Sequence, residues 1–200
     1  MTTNQREYYA AAERASHAAG DLLGPARART VHASLSPDAP AGTACSADCS
    51  HCCRFPVGVR FAEAALLAET VARDPDLRAR VLDDAAASDS LDWADLTGRP
   101  CPLLVDGRCA AYEDRPTPCR ALRSFDAARC ERALTAPTEV PRDEQGWWRG
   151  LGAASVLDEL PGPRELRSAL AALLQDETAA VAADRPTAFA AARPVPDACA

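Results

Sequence analysis

Apolar residues recur every three or four positions over several stretches of the chain, which is the period of an amphipathic helix. In residues 4–23, Tyr8, Ala12, Ala15 and Ala19 fall on one face. The same spacing predicts helices near 4–22, 61–72, 75–87, 147–159 and 163–176. No window alternates apolar and polar residues for more than a few positions, so we expect few strands. The pattern predicts a mainly α, single small domain, with an irregular Cys-rich metal-binding centre wrapped by helices.

The positions of Pro, Gly and Cys divide the chain into four segments. Residues 1–44 are expected to hold a helix and then a loop over 24–43, where Pro and Gly cluster. Residues 45–130 form the cysteine region, and 131–183 carry the C-terminal helices. The Pro- and Ala-rich tail, 184–200, is expected to be disordered.

The composition indicates a core short of large side chains. Alanine accounts for 45 of the 200 residues, Ile is absent, and Leu, Val and Phe together number 34, or 17%. That share approaches the range of disordered chains, so another interaction should help hold the fold together. The net charge of −7 argues against a nucleic-acid partner. The absence of Lys excludes Schiff-base chemistry and a Walker P-loop.

Nine cysteines are the candidate for that other interaction. The N-terminus has no signal-peptide pattern and no apolar run is long enough to span a membrane. We therefore expect a cytoplasmic protein with reduced thiols, in which clustered Cys indicate metal ligands.

The cysteines fall into two groups of four and one outlier. Cys45, Cys49, Cys52 and Cys53 lie within nine residues, whereas the second group is spread over thirty. Four plus four matches two tetrathiolate sites, or one cluster with spare thiols. Adjacent Cys52 and Cys53 should point in different directions and not chelate one ion symmetrically. Cys199 is expected to be a bystander. The predicted ligands are Cys45, Cys49, Cys52, Cys53, Cys101, Cys109, Cys119 and Cys130.

The order of these motifs resembles a known family. Cys45-x3-Cys49-x2-Cys52-Cys53 is followed by Cys101-Pro102, by Cys109-Ala110-Ala111-Tyr112, by Arg115-Pro116-Thr117-Pro118-Cys119-Arg120 and by Cys130. This string resembles the YkgJ-like cysteine-cluster family, whose members are described as zinc- or iron-chelating proteins. The family usually has two residues between its first two Cys, and here there are three. Some members are labelled iron–sulfur oxidoreductases, and a related cluster occurs in flagellin lysine-N-methylases.

Charged and aromatic neighbours of the cysteines have candidate roles as well. Arg115 and Arg120 flank Cys119 and are candidate cofactor-binding residues, because a guanidinium can donate to thiolates or cluster sulfurs. The alternative is pairing with Glu113 or Asp114 in a tight turn. Other candidates are His51, His17 and His32 as ligands, Tyr112 as packing under the cluster, Glu63 as a favourable charge in a first helical turn, and Trp147 and Trp148 as a partner surface.

Three functions are compatible with these residues. The first is an iron–sulfur protein, with a 4Fe-4S cluster preferred, in redox or modification chemistry. The second is a structural zinc protein that binds a partner. The third is a methylase-like enzyme that modifies a peptide or protein, although no methyl-donor site is evident. The partner would be a protein or a small molecule, with no nucleic acid and no membrane involved.

Overall fold

Helices make up most of the chain in a computed structural model, which describes residues 1–35, 39–46, 48–157, 162–175 and 185–196. The predicted mainly α fold is confirmed. Within the described ranges the helices are α1 (Thr3–Ala19), α2 (Gly24–Ser34), α3 (Phe61–Val71), α4 (Pro75–Ala87), α5 (Thr117–Ala121), α6 (Ala127–Arg132), α7 (Glu144–Ala154), α8 (Leu166–Leu174) and α9 (Arg185–Ala191).

Strands in the described part of the chain pair only in twos. β1 (Gly58–Val59) runs antiparallel to β4 (Arg164–Glu165), and β2 (Leu104–Val105) is antiparallel to β3 (Arg108–Cys109). Between β2 and β3, Asp106 and Gly107 have φ values of 48° and 79°. Positive φ at both loop residues is the conformation that a two-residue hairpin favours. The low strand content agrees with the sequence pattern.

Two segments that were expected to be irregular are helical. Residues 24–34 form α2, where Pro25 occupies the first turn, the helical position that tolerates Pro best. The tail also contains α9, so the prediction of disorder from Asp184 onward is wrong for residues 185–196. Phe189 of α9 is 1% exposed, and its ring packs edge-on against Phe61 at 5.5 Å between centroids. Phe189 and the adjoining Ala192 belong to the core cluster, and Arg164 donates to the carbonyl of Ala190 at 3.1 Å, so this Ala-rich helix is docked against the core.

Some helices begin at the residues that periodicity predicts, and others do not. The prediction for 61–72 and 75–87 is confirmed almost to the residue, and the Asp74 side chain caps α4 as its spacing from Pro75 indicated. α7 begins earlier than expected, at Glu144, because Asp143 accepts a hydrogen bond from Gly146 N and caps it. α8 begins later than expected, because residues 164–165 pair with β1 instead.

The core has two parts, which share α3. Eight of the eleven α3 residues are buried. Ala62 and Leu66 face a cluster with α1, α2 and α7, whereas Leu67 and Val71 face α4, α8 and α9. Gly152 of α7 lies directly against the backbone of Tyr8 in α1. Small residues let helices approach closely, so the Ala-rich composition forms a packed core despite its few large side chains.

Candidate metal centre

The first cysteine segment is anchored at its start and turns sharply at its end. Ala44 N donates to Ser124 O at 2.8 Å, and Ser124 N donates to Cys45 Sγ at 3.2 Å. At the other end, Cys52–Arg54 form a 3₁₀ turn that leads into β1. The cysteine loop is therefore tied to the chain between α5 and α6, more than seventy residues later.

The second group of cysteines comes to the first through backbone hydrogen bonds. Cys101 N donates to Cys53 O at 2.7 Å, and Gly98 N donates to Arg54 O at 2.7 Å. Cys109 lies on β3, Cys119 within α5 and Cys130 within α6. Three elements, together with the segment before β2 that carries Cys101, thus deliver the second group to the loop that carries the first.

Both groups converge on one cavity. Seven thiol-bearing residues line a volume of about 170 Å³, namely Cys45, Cys49, Cys52, Cys53, Cys101, Cys109 and Cys119. Cys130 is also buried. Burial is the main cause that raises the pKa of its thiol, and Cys49 and Cys52 raise it further, which places Cys130 near the thiols of this cavity. The structure therefore gathers all eight cysteines that the sequence singled out. Cys199 lies outside the described residues.

Cys52 and Cys53 are closer partners than the sequence indicated. We expected adjacent side chains to point apart, but both line the cavity, and their thiols are hydrogen-bonded to each other. That bond, with burial, strongly raises the pKa of Cys52. The tight 3₁₀ turn is the physical reason, because it rotates successive side chains by less than a strand would.

Burial raises the pKa of three thiols of the second group. It is the largest cause that raises the pKa of Cys101, to about 12, and that of Cys119, well above 9.0. Neighbouring thiolates raise both values further, and the same two effects raise the pKa of Cys109. So many buried thiols so close together cannot all ionise without a compensating cation. A bound metal would replace their protons, and in this respect the donor set fits a soft metal.

Seven cysteines line this cavity. Among the described residues, however, no three His, Cys, Asp or Glu side chains are placed so that they could hold a metal ion together.

Arg115 and Arg120 lie at the wall of this cavity and have different tasks. The Arg115 guanidinium lies 3.7 Å from the centre of the Tyr112 ring, and its charge partly offsets the raised pKa values of Cys52 and Cys109. Arg120 donates to the carbonyls of Arg115, at 2.7 Å, and Glu113. Arg120 thus braces the loop that presents Arg115. Direct bonds from either residue to a cofactor stay a prediction.

A buried ionic group that the sequence did not reveal supports Cys101. Arg167 of α8 is 2% exposed and donates to Asp84 at 2.7 Å and to Glu165 at 3.2 Å. The same guanidinium donates to the carbonyl of Pro100 at 2.9 Å. Arg167 therefore holds the backbone that immediately precedes Cys101. Glu165 is a near neighbour in sequence, but no local pattern could have identified the contacts with Pro100 and Asp84, which lie 67 and 83 positions away.

Glu63 connects the core to the helix that carries Cys119. Its carboxylate accepts from Arg60 N at 3.1 Å, as a first-turn acid would, and also from Thr117 N at 2.6 Å, at the start of α5. His32 Nε2 lies 3.1 Å from the same carboxylate. Burial alone would raise the pKa of Glu63, but these hydrogen bonds lower it. Glu63 is therefore a buried anion that fixes α5 in place.

The three histidines do not share one environment. His32 is paired with Glu63, and His17 is exposed on α1. His51 is half-buried and precedes the 3₁₀ turn, although it is not among the residues that line the thiol cavity in the described structure.

The comparison with family models identifies this region. Residues 44–139 match the CxxCxxCC family, described as "Putative zinc- or iron-chelating domain". The match contains all eight cysteines of the site and begins one residue before Cys45, so it confirms the resemblance to a cysteine-cluster family. No curated protein and no solved structure matches the chain. Every helix in the described part of the chain is too short or too polar to cross a bilayer.

Proposed function

We propose that the chain holds an iron–sulfur cluster, on the premise that residues 44–139 match a family described as "Putative zinc- or iron-chelating domain". A 4Fe-4S cluster is the preferred form, and redox or modification chemistry is the preferred use. The observation that supports this most directly is the convergence of seven cysteines on one cavity.

The size of the cavity favours a cluster over a single ion. A structural zinc site is closed, with four ligands packed tightly around the ion. The thiol cavity has a volume of about 170 Å³. One water molecule occupies about 30 Å³ in the liquid, so the cavity has room for a group of several atoms. An iron–sulfur cluster needs that room for its inorganic sulfide as well as four thiolates.

The surroundings also suit a negatively charged cofactor. A cluster held by four thiolates carries net negative charge, which hydrogen bonds and nearby cations stabilise. Arg115 lies at the cavity wall and favours the ionised forms of Cys52 and Cys109. When bound, the cluster would supply one-electron chemistry, and Arg115 would tune its potential.

A structural zinc protein is the second candidate, favoured by how the cysteines divide. The pKa of Cys45 is raised first by burial and then by Cys49, Cys52 and Cys130. The pKa of Cys119 is likewise raised by burial and then by Cys52, Cys101 and Cys109. Cys52 is common to both neighbourhoods. The two neighbourhoods hold seven different cysteines, and Cys53, which lies beside Cys52, is the eighth. With Cys52 in one neighbourhood and Cys53 in the other, two zinc ions would take four thiolates each and would contribute folding free energy directly.

Anaerobic purification followed by elemental and sulfide analysis decides between the two candidates. An iron–sulfur protein should be brown and contain iron and acid-labile sulfide in similar amounts. Zinc without iron or sulfide, in protein expressed with both metals supplied, would overturn the proposal in favour of structural zinc. Protein that holds no metal under any loading condition would overturn both.

Substitutions identify the ligands. Cys49→Ser should lower the metal content, whereas Cys199→Ser, outside the segment that matches the family, should leave it unchanged. Mass-spectrometric alkylation of the metal-loaded protein should label Cys199 first, because a metal-bound thiolate is a poorer nucleophile than a free thiol. Rapid labelling of Cys45 and Cys49 with protection of Cys199 would contradict the ligand assignment.

A further inference from the structure

A second, larger cavity lies beside the thiol cavity. It has a volume of about 500 Å³ and is enclosed by α2, α5, α7 and the loop at residues 112–115. Binding sites for small molecules range from roughly 300 to 1,000 Å³, so its size suits a metabolite. None of the cysteines that the structure describes lines this cavity, so it is separate from the thiol site.

The wall of this cavity is strongly basic. Two carboxylates, Glu113 and Asp114, line it together with five arginines, which leaves a formal charge of +3 in a chain whose net charge is −7. Arginine is the side chain best suited to bind carboxylate or phosphate, because its fork donates two parallel hydrogen bonds. The five arginines are Arg29, Arg115, Arg120, Arg123 and Arg149.

Two of these arginines have modest protein partners. Arg29 forms an exposed pair with Glu69 at 2.7 Å, and Arg149 lies 3.3 Å from Glu7 and 3.7 Å from Asp143. Exposed pairs contribute little to stability, about 0–1 kcal/mol. A guanidinium has five N–H donors. Arg29, whose pair with Glu69 is exposed, can therefore bind a ligand without a large loss of existing contacts.

A buried polar atom at the same wall lacks a partner. The side chain of His32 is 4% exposed, and while its Nε2 faces Glu63, its Nδ1 has no hydrogen-bond partner among the described residues. Such an atom costs free energy unless a ligand or water satisfies it. Because Nε2 donates to the Glu63 carboxylate, Nδ1 of the neutral imidazole is an acceptor. His32 lines the basic cavity, so a hydroxyl group of a bound ligand could donate the missing hydrogen bond.

We propose that the basic cavity binds a small organic anion through its carboxylate or phosphate groups. Tyr112, Arg115, Arg120 and Arg123 line both cavities. Arginines would hold the charged end of the ligand, and the shared wall would bring its other end close to the thiol centre. The anion site does not depend on which metal the thiols bind.

Calorimetric titration of the metal-loaded protein at low salt tests this, with citrate and pyrophosphate as probes and glucose as the neutral control. At least one anion should bind and glucose should not. Binding of pyrophosphate alone would identify phosphate as the recognised group, and binding of citrate alone would identify carboxylate; either result supports the proposal. Failure of both anions to bind would overturn it.

A matched pair of variants locates the binding site. Arg29→Gln removes a guanidinium from the cavity, and Arg142→Gln removes one from an equally short pair with Glu144, at 2.8 Å, away from that cavity. Arg29→Gln should weaken anion binding about tenfold or more, because hydrogen bonds between charged groups are the strong ones. Arg142→Gln should change it less than twofold.

Equal weakening in the two variants would overturn the assignment to this cavity. Metal content and melting temperature are measured on the same samples. A loss of anion binding in Arg29→Gln at unchanged metal content supports the site. If the protein holds no metal under any loading condition but still binds an anion, the proposed cofactor fails and this inference stands.

Discussion

Replacing Arg167 with Met should destabilise the protein more than any surface substitution. The side chain is 2% exposed and donates to Asp84 and Glu165, and Glu165 is itself 0% exposed. Methionine fills similar volume but leaves the buried Glu165 carboxylate without its cation, whereas Asp84 keeps its pair with Arg99. Breaking a buried ion pair by removing one partner costs about 3–5 kcal/mol.

That loss is large compared with the whole stability of the domain, which is of the order of 5–15 kcal/mol. For a chain of this length, each kcal/mol lowers the melting temperature by about 2–4 °C. The expected decrease is therefore about 6–20 °C. Metal content should fall as well, because Arg167 also holds the carbonyl of Pro100, one residue before Cys101.

Urea denaturation of the metal-loaded protein, followed by circular dichroism, measures the effect. Arg142→Met is the control, since its pair with Glu144 is partly exposed and should contribute less than about 1 kcal/mol. Adding Glu165→Gln to Arg167→Met should recover on the order of 1–2 kcal/mol, because Gln removes the unpaired charge and keeps an acceptor for Ser168 N. A change below about 1 kcal/mol in Arg167→Met, or no recovery in the double variant, would refute this explanation.

Three further predictions concern metal and protons. Removing the metal with a chelator under anaerobic conditions should unfold the cysteine region, because a structural metal can contribute about 10 kcal/mol; identical melting curves with and without metal would contradict this. Zinc titration at pH 7 should release about four protons per tetrathiolate site, since burial keeps the pKa of thiols such as Cys101 and Cys119 above 9.0, and fewer than one proton per zinc would show that the thiols are already ionised. Glu63→Gln should destabilise the protein by about 1–3 kcal/mol at pH 7. Folding lowers the pKa of Glu63 from its ordinary value of 4.5, so the carboxylate contributes its full stabilisation above about pH 4.5. This stabilisation is lost as the pH falls through the lower pKa of the folded state. A difference in stability between Glu63→Gln and wild type that does not shrink on acidification would disprove this role.

The helices that could be predicted are those whose signals are local. The Asp74-Pro75 start and the apolar face of residues 61–71 located two helices almost to the residue. The sequence does not predict α2, because its apolar residues follow the helical period only weakly and Pro25 indicates a loop. Pro nevertheless suits the first turn of a helix, which is where Pro25 lies. The sequence does not predict α9, because this helix has no repeating apolar face and is held by Phe189 and by a hydrogen bond from Arg164 to the carbonyl of Ala190.

Spacing along the chain groups eight cysteines apart from Cys199, and the family match over residues 44–139 includes those eight. Thiols that must share a metal are recognisable from composition and clustering, because few other side chains serve as soft ligands. Only the tertiary structure shows that both groups face one cavity, and that Cys52 and Cys53 face it together.

The supports of the site depend on contacts between distant segments. Arg167 reaches the backbone before Cys101 from α8, and Glu63 reaches the start of α5 from α3. The five arginines of the basic cavity come from three helices and the loops beside them. Sequence determines helical periodicity and thiol chemistry because both are properties of neighbouring residues. Which charges are buried, and which cations surround a common space, follow from how the helices pack, and that is decided only when the whole chain is folded.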